Sequence, residues 1–107
     1  MTNFKDRERG EEAKFAHDEE SSFKIAARRN RLLGNWAAEK MGLTPEETEA
    51  YAKAVVQADF EEAGDEDVIR KLRGDLTRRG VEIAEAGIRA ALEERAIEAR
   101  RQLMSES

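Results

Sequence analysis

A signal that ends one helix and a signal that starts another lie side by side at residues 42–47, and this pair constrains the fold most. Gly42 can adopt the positive φ angle with which many helices end. Thr44 can cap a following helix, Pro45 suits its first turn, and Glu47 can complete a capping box with Thr44. A stop and a start separated by so few residues predict two antiparallel helices joined by a tight turn.

Both sides of this turn repeat apolar side chains with the period of an amphipathic helix, about 3.6 residues. In the first helix, about residues 21–41, the apolar stripe consists of Phe23, Ala26, Ala27, Leu33, Ala37 and Met41, broadened by Leu32 and Trp36. In the second helix, about residues 45–63, the expected buried face consists of Tyr51, Ala52, Val55, Val56 and Phe60. Each helix therefore has one face to bury against a neighbour.

A third, shorter helix is predicted at about residues 66–79, between two glycines. Gly64 is expected to end the second helix, Asp65 to cap the third, and Gly80 to end it. Its apolar face consists of Val68, Ile69, Leu72 and Leu76.

The last helix is predicted at about residues 81–103, where Gly87 is expected to mark a close crossing with another helix. Its apolar face consists of Val81, Ala84, Ile88, Ala91, Leu92, Ala99 and Leu103. No segment alternates with period two, which would indicate a strand. The sequence therefore predicts an all-α fold in which residues 21–107 form an up-and-down four-helix bundle, with residues 105–107 frayed.

The composition narrows the class of protein. A length of 107 residues suits one domain, and 40% of the residues are charged, with interleaved signs and a net charge of −5. No cysteine is present, which excludes disulfides and thiolate metal sites. No apolar run reaches the ~20 residues of a membrane span, and the N-terminus lacks a targeting pattern. We expect a cytoplasmic protein, monomeric when free, that neither inserts into a membrane nor binds nucleic acid.

Residues 1–20, the N-terminal arm, combine helical spacing with a weak helix. Phe4 and Phe15 lie eleven residues apart, close to three turns, and would share one helix face. Gly10 and the like-charged pair Glu8–Glu12 weaken such a helix, and an isolated segment of this length is marginal in water. Charged residues flank the stripe: Arg7, Glu8, Glu11 and Lys14. The arm is therefore predicted to be flexible alone and to fold on contact with a partner.

No constellation for catalysis or metal binding is apparent. His17 is the only histidine, so a di-metal site built from Glu-x-x-His pairs is excluded, and no nucleophile motif accompanies it. We favour an exposed histidine over a pH-sensitive switch, and a binding protein over an enzyme.

A cluster of arginines in the first helix has two interpretations. Arg28 and Arg31 share a helix face, with Trp36 and Lys40 further along. Arginines can bind phosphate and an indole can stack on a base, so a ligand that carries both groups is one candidate. The sequence lacks a glycine-rich phosphate loop, however. The favoured alternative is a solvated arginine face with Trp36 in the core.

Several motifs together resemble the ζ subunit family, small inhibitors of the F-type ATP synthase of alphaproteobacteria. The resemblance covers nearly the whole chain and weakens beyond Val68. It rests on Phe4-x-Asp6-Arg7, Lys14-Phe15-Ala16-His17-Asp18-Glu19, Ala27-Arg28-Arg29-Asn30-x-Leu32-Leu33-Gly34-x-Trp36-Ala37-Ala38, Tyr51-Ala52-x-x-Val55-Val56-x-Ala58-Asp59-Phe60 and Gly64-Asp65-x-Asp67-Val68.

This resemblance implies a four-helix bundle that anchors an inhibitory arm from outside the enzyme. The arm would enter a catalytic interface between the α and β subunits of the head, near the γ subunit, become helical there and block ATP hydrolysis. The arm residues expected to make these contacts are Phe4, Asp6, Arg7, Glu8, Glu11, Lys14, Phe15 and His17. The protein would then reside at the cytoplasmic side of the inner membrane through the ATP synthase.

The resemblance also implies ADP or ATP as a regulatory ligand of the bundle, with no cofactor required. The residues assigned to that ligand are Arg28, Arg31, Trp36 and Lys40. Two alternative functions stay open. One is a helical adaptor that binds a partner helix through a bundle face, and the other is a protein that senses adenine nucleotides.

Overall fold

The computed structural model describes residues 19–61 and 64–106, which form four helices and no strand. Helix α1 spans Glu19–Met41, α2 Pro45–Glu61, α3 Asp65–Arg78 and α4 Glu85–Glu106. Helix α1 packs chiefly on α2 and α4, and α3 contacts all three other helices, while the described backbones of α2 and α4 stay apart. The prediction of an all-α four-helix bundle is confirmed. None of these helices combines the length and the apolar character that crossing a membrane requires.

The turn between α1 and α2 has the predicted chemistry. Gly42 has a φ of 72°, and the Leu43 N–H donates to the Ala38 carbonyl at 3.0 Å, which closes α1 in a Schellman-type motif. The Thr44 N–H donates to Glu47 Oε1 at 2.9 Å, and the Glu47 N–H donates to Thr44 Oγ1 at 3.1 Å. This reciprocal pair is the predicted capping box, and it starts α2 after a link of only three residues.

The capping box makes a testable contribution to the pH dependence of stability. The Thr44 N–H is the main reason that the pKa of Glu47 lies below its ordinary value of 4.5. The unfolded chain therefore binds more protons between the two pKa values, so this contribution is present above pH 4.5 and is lost as the pH falls through the lowered pKa. We expect an NMR titration to give Glu47 a lower pKa in the folded protein than in urea. Thr44→Ala keeps the backbone donor and should keep most of the shift; equal folded and unfolded values would contradict the assignment.

The starts of α3 and α4 differ from the sequence prediction. Helix α4 begins at Glu85, not at Val81, because the Val81 N–H donates to the Leu76 carbonyl at 2.9 Å and completes the motif that ends α3 at Gly80. The apolar period continues through Val81 because its side chain packs on the core from this link. Helix α3 begins at Asp65 itself, after Gly64 at φ 125°, and no side chain caps it.

The core lies along the inner faces of all four helices. Its fully buried large side chains are Leu33, Val55, Val68, Leu72, Leu76 and Ile88. Helices α1 and α2 approach closely at Gly34 of α1, where a Cβ atom would lie 2.7 Å from the Cα of Ala52 in α2. The predicted crossing at Gly87 is wrong, because a Cβ there would meet only the side chain of Ile83, in the link that precedes α4.

Candidate functional site

The residues predicted to form the inhibitory arm lie outside the described part of the chain, so their contacts stay a prediction. They are Phe4, Asp6, Arg7, Glu8, Glu11, Lys14, Phe15 and His17. The arm joins the bundle at the start of α1, at Glu19, two residues before the predicted start of that helix. The surface around this junction is therefore the described region next to the arm along the chain.

A groove opens at this end of the bundle, between the first turns of α1 and the last turns of α2. Its volume is about 170 Å³, and we call it the Phe23–Phe60 groove. The two phenyl rings at its rim meet edge to face, with centroids 5.6 Å apart and planes at 88°. The lining residues are Phe23, Ala26, Ala27, Asn30, Val56, Asp59 and Phe60.

The exposure of the rim corrects the sequence prediction, which placed both phenylalanines on buried faces. Phe23 is 55% exposed and Phe60 67% exposed. Both follow the apolar period of their helices, but they lie near helix ends, beyond the fully buried apolar residues, which begin at Leu33 in α1 and end at Val55 in α2. Burial here is limited by where neighbouring helices end rather than by the periodic pattern.

A buried polar cluster closes the inner end of the groove. Asn30 is 1% exposed, and its Nδ2 donates to Asp59 Oδ2 at 2.8 Å. Arg29 Nε donates to Asn30 Oδ1 at 3.0 Å, while Arg29 Nη1 donates to Asp65 Oδ1 at 3.1 Å. The cluster therefore ties α1 to α2 and to Asp65, the first residue of α3.

Sequence reasoning missed this cluster, although one signal was available. Asn30 lies three residues after Ala27 and three before Leu33, so it occupies a position of the apolar stripe. A polar residue at such a position is buried and needs a hydrogen-bond partner. Across the described ranges, no buried side-chain nitrogen or oxygen lacks one. Each buried polar atom of the cluster therefore has at least one partner within the bundle.

The arginines assigned to a nucleotide are held by different helices. Arg28 Nη1 donates to Gln102 Oε1 at 2.8 Å and to Glu106 Oε2 at 2.9 Å, both in α4. A second bond joins Arg28 Nη2 to Glu106, and these bonds hold the pKa of that carboxyl below its ordinary value. Arg31 Nη2 instead lies 3.5 Å from Glu49 in α2. The two guanidinium groups therefore do not converge on one phosphate position.

The other two assigned residues lie together. The Lys40 ammonium is 5.4 Å from the centre of the Trp36 ring, within the range of a cation–π interaction. Trp36 is half-buried and packs against the core, as the favoured interpretation expects, whereas the arginine face is paired with carboxylates rather than simply solvated. Binding of ADP or ATP stays a prediction. No group of three or more acidic or histidine side chains in residues 19–61 and 64–106 is placed to hold a metal ion.

The ion pair of Arg28 with Glu106 also affects the end of the bundle. Helix α4 continues to Glu106, three residues beyond its predicted end at Leu103, and the expected fraying of residues 105 and 106 is wrong. Because both oxygens of the Glu106 carboxylate accept hydrogen bonds from Arg28, the last turn of α4 is fixed to the third turn of α1. This places the end of α4 beside the start of α1.

Comparison with known proteins identifies the family. A family model described as ATPase inhibitor subunit zeta matches residues 1–102. A protein whose structure was determined by NMR in solution is 50% identical to this chain, over 79% of this chain and 96% of the other, with a TM-score of 0.70. No curated protein matches the sequence. Because the family model spans almost the whole chain, the protein belongs to the ATPase inhibitor subunit zeta family, the inhibitory, regulatory proteins associated with F-type ATP synthase.

Proposed function

We propose that the protein blocks ATP hydrolysis by inserting its N-terminal arm at a catalytic interface between the α and β subunits of the ATP synthase head, near the γ subunit. The observation that carries this proposal is that the match to the inhibitor family begins at residue 1 and therefore includes the arm. The buried apolar residues of the described bundle all lie between Leu33 and Ala99, so its core is built well inside the junction at Glu19. The bundle can therefore anchor the arm while all of its buried apolar residues stay in the core.

The inhibition follows from a blocked conformational step rather than from chemistry on a substrate. A catalytic interface must open and close during each turnover, and a helix lodged in it prevents that motion. Phe4 and Phe15 would fill apolar pockets, and the flanking charges would pair with the walls of the interface. Those charged or polar arm residues are Asp6, Arg7, Glu8, Glu11, Lys14 and His17.

The proposal is tested by titrating the protein into purified cognate ATPase. Deletion of residues 1–18 should abolish inhibition, and Phe15→Ala should raise the half-inhibitory concentration by roughly thirtyfold, the effect of losing about 2 kcal/mol at a buried aromatic contact. Thermal unfolding followed by circular dichroism should be unchanged in Phe15→Ala. Equal inhibition by the full and the shortened chain would overturn the role of the arm, and unfolding of Phe15→Ala would place that ring in the core instead.

A regulatory role of ADP or ATP is a secondary proposal. A nucleotide phosphate bound by Arg28 would have to displace Glu106, and one bound by Arg31 would have to displace Glu49. Nucleotide sensing can coexist with the inhibitory function, but the paired state of both arginines gives it no support of its own. A general helical adaptor would require a partner other than the ATP synthase that is retained after deletion of the arm.

A further inference from the structure

We propose that the Phe23–Phe60 groove is a second contact with the ATP synthase, in which one apolar side chain of the enzyme's head inserts between α1 and α2. This inference rests on the proposed function, because the arm brings the groove to the enzyme. It adds a docking site on the bundle, with its own residues and its own expected effect on affinity.

The first support is the character of the rim. In a chain with 40% charged residues, two phenylalanines more than half exposed lie against each other at one place. An edge-to-face pair presents a continuous apolar surface with little conformational freedom. Exposed apolar patches of this kind mark interaction sites, and aromatic residues supply much of the binding energy of protein interfaces.

The second support is the position of the groove relative to the arm. Eighteen residues precede the described chain and join it at Glu19, four residues before Phe23. At a rise of about 1.5 Å per residue, Phe23 lies only about 6 Å along the helix axis from that junction. A protein that receives the arm must therefore present its own surface next to the first turns of α1, where the groove opens.

The third support is the chemistry of the lining. The floor is formed by Ala26, Ala27 and Val56, and at its inner end Asn30 donates a hydrogen bond to Asp59. A charged or polar side chain would lose water against this apolar floor. The volume of about 170 Å³ is close to that of an apolar cavity of about 150 Å³ that binds benzene in another protein. The occupant is therefore one aromatic or branched aliphatic side chain.

The test measures both binding to purified cognate ATPase and inhibition of ATP hydrolysis, with full-length variants. Phe60→Ser should weaken binding and raise the half-inhibitory concentration by about tenfold, while inhibition at saturation stays complete because the arm is unaltered. Ala27→Leu, which fills the groove and leaves both rings in place, should have a similar effect. The matched control is Ile97→Ser in α4, which removes a side chain 61% exposed that does not line the groove and should change nothing.

The outcomes separate this inference from the proposed function. Loss of inhibition in Phe15→Ala with wild-type affinity in both Phe60→Ser and Ala27→Leu would overturn the groove contact and leave the arm mechanism standing. Binding without inhibition by the wild-type protein would overturn the arm mechanism. The groove contact would still be tested in that case, by comparing the binding affinity of the groove variants with that of the wild-type protein. Weakening of binding in Ile97→Ser to the same extent would show a general surface effect and overturn the assignment to the groove.

NMR and sedimentation measurements on the free protein test two other possible occupants of the groove, the arm and a second copy of the chain. If the arm covered the groove, a Phe4→Ala and Phe15→Ala double variant would shift the NMR signals of the Phe23 and Phe60 rings. If a second copy covered it, sedimentation would show a dimer that Phe60→Ser dissociates. We expect unchanged ring signals and a monomer, and either contrary result would overturn docking of the enzyme in the groove.

Discussion

Asn30→Asp is expected to lower the free energy of unfolding by about 3 kcal/mol at neutral pH, because it places an uncompensated charge in a buried position. The Asn30 side chain is 1% exposed, and its Nδ2 donates to Asp59 Oδ2 at 2.8 Å. The substitution turns this donor into an acceptor, so that two carboxylates face each other at hydrogen-bond distance. Arg29 reduces the cost only in part, because it already serves Asp65 as well as Asp59.

The loss of stability in Asn30→Asp should depend on pH, and it should increase as the pH rises. Burial and the neighbouring carboxylate raise the pKa of the introduced carboxyl above the value of about 3.9 in an unfolded chain. Between those two values the folded variant binds more protons than the unfolded one, so its stability falls as the pH rises and levels off above the folded pKa. Urea unfolding at a series of pH values measures this. Subtracting the free energy of unfolding of the wild-type protein at each pH removes the contributions of all other groups.

An exchange of the two residues supplies the matched control. Asn30→Asp combined with Asp59→Asn restores one amide donor opposite one carboxylate acceptor, so most of the lost stability should return. A deficit that does not change with pH, or that persists in the double variant, would show that the cost arises from packing rather than from charge.

Gly34→Ala is expected to destabilise the protein by about 2 kcal/mol through overpacking of the α1–α2 crossing. The added Cβ would lie 2.7 Å from the Cα of Ala52 and 3.3 Å from Cγ2 of Val55. The nearer of these atoms belongs to the backbone, so the helices must move apart. The gain in helix propensity over glycine, up to about 1 kcal/mol, offsets only part of that strain.

The matched control is another glycine inside a helix. At Gly74 of α3 an added Cβ would meet only the end of the flexible Arg78 side chain, at 3.5 Å. Gly74→Ala should therefore stabilise the protein by roughly 0.5–1 kcal/mol, opposite in sign to Gly34→Ala. Urea unfolding of both variants measures the difference. Stabilisation in both would mean that α1 and α2 adapt freely at their crossing.

Those features of the fold that depend on neighbouring residues could be predicted from the sequence. Gly42, Thr44 and Glu47 act within one turn of each other, so the hairpin follows from local chemistry alone. The start of α4 was predicted four residues early because Val81 continues the apolar period. The apolar period indicates which side chains face the core. It does not indicate which carbonyl accepts a hydrogen bond from a given backbone N–H, and the Val81 N–H donates to the Leu76 carbonyl.

Features that depend on how distant segments align could not be predicted. Asn30 and Asp59 are 29 positions apart, and they meet only because α1 and α2 cross closely at Gly34. The pair of Arg28 with Glu106 spans 78 positions and likewise requires the register between α1 and α4. The exposure of Phe60 depends on where the other helices end. The groove is therefore a product of tertiary arrangement, although each of its residues follows the local pattern.

Helix α1 contacts all three other helices, and it is also the helix to which residues 1–18 are covalently joined. Its 23 residues extend about 35 Å at the rise of an α-helix. A pull on its first residue, directed along its axis, loads the contacts with α2 and α4 in shear, so that they must yield together. A sideways pull would instead peel them apart turn by turn. The bundle should therefore resist axial extraction far better than lateral force.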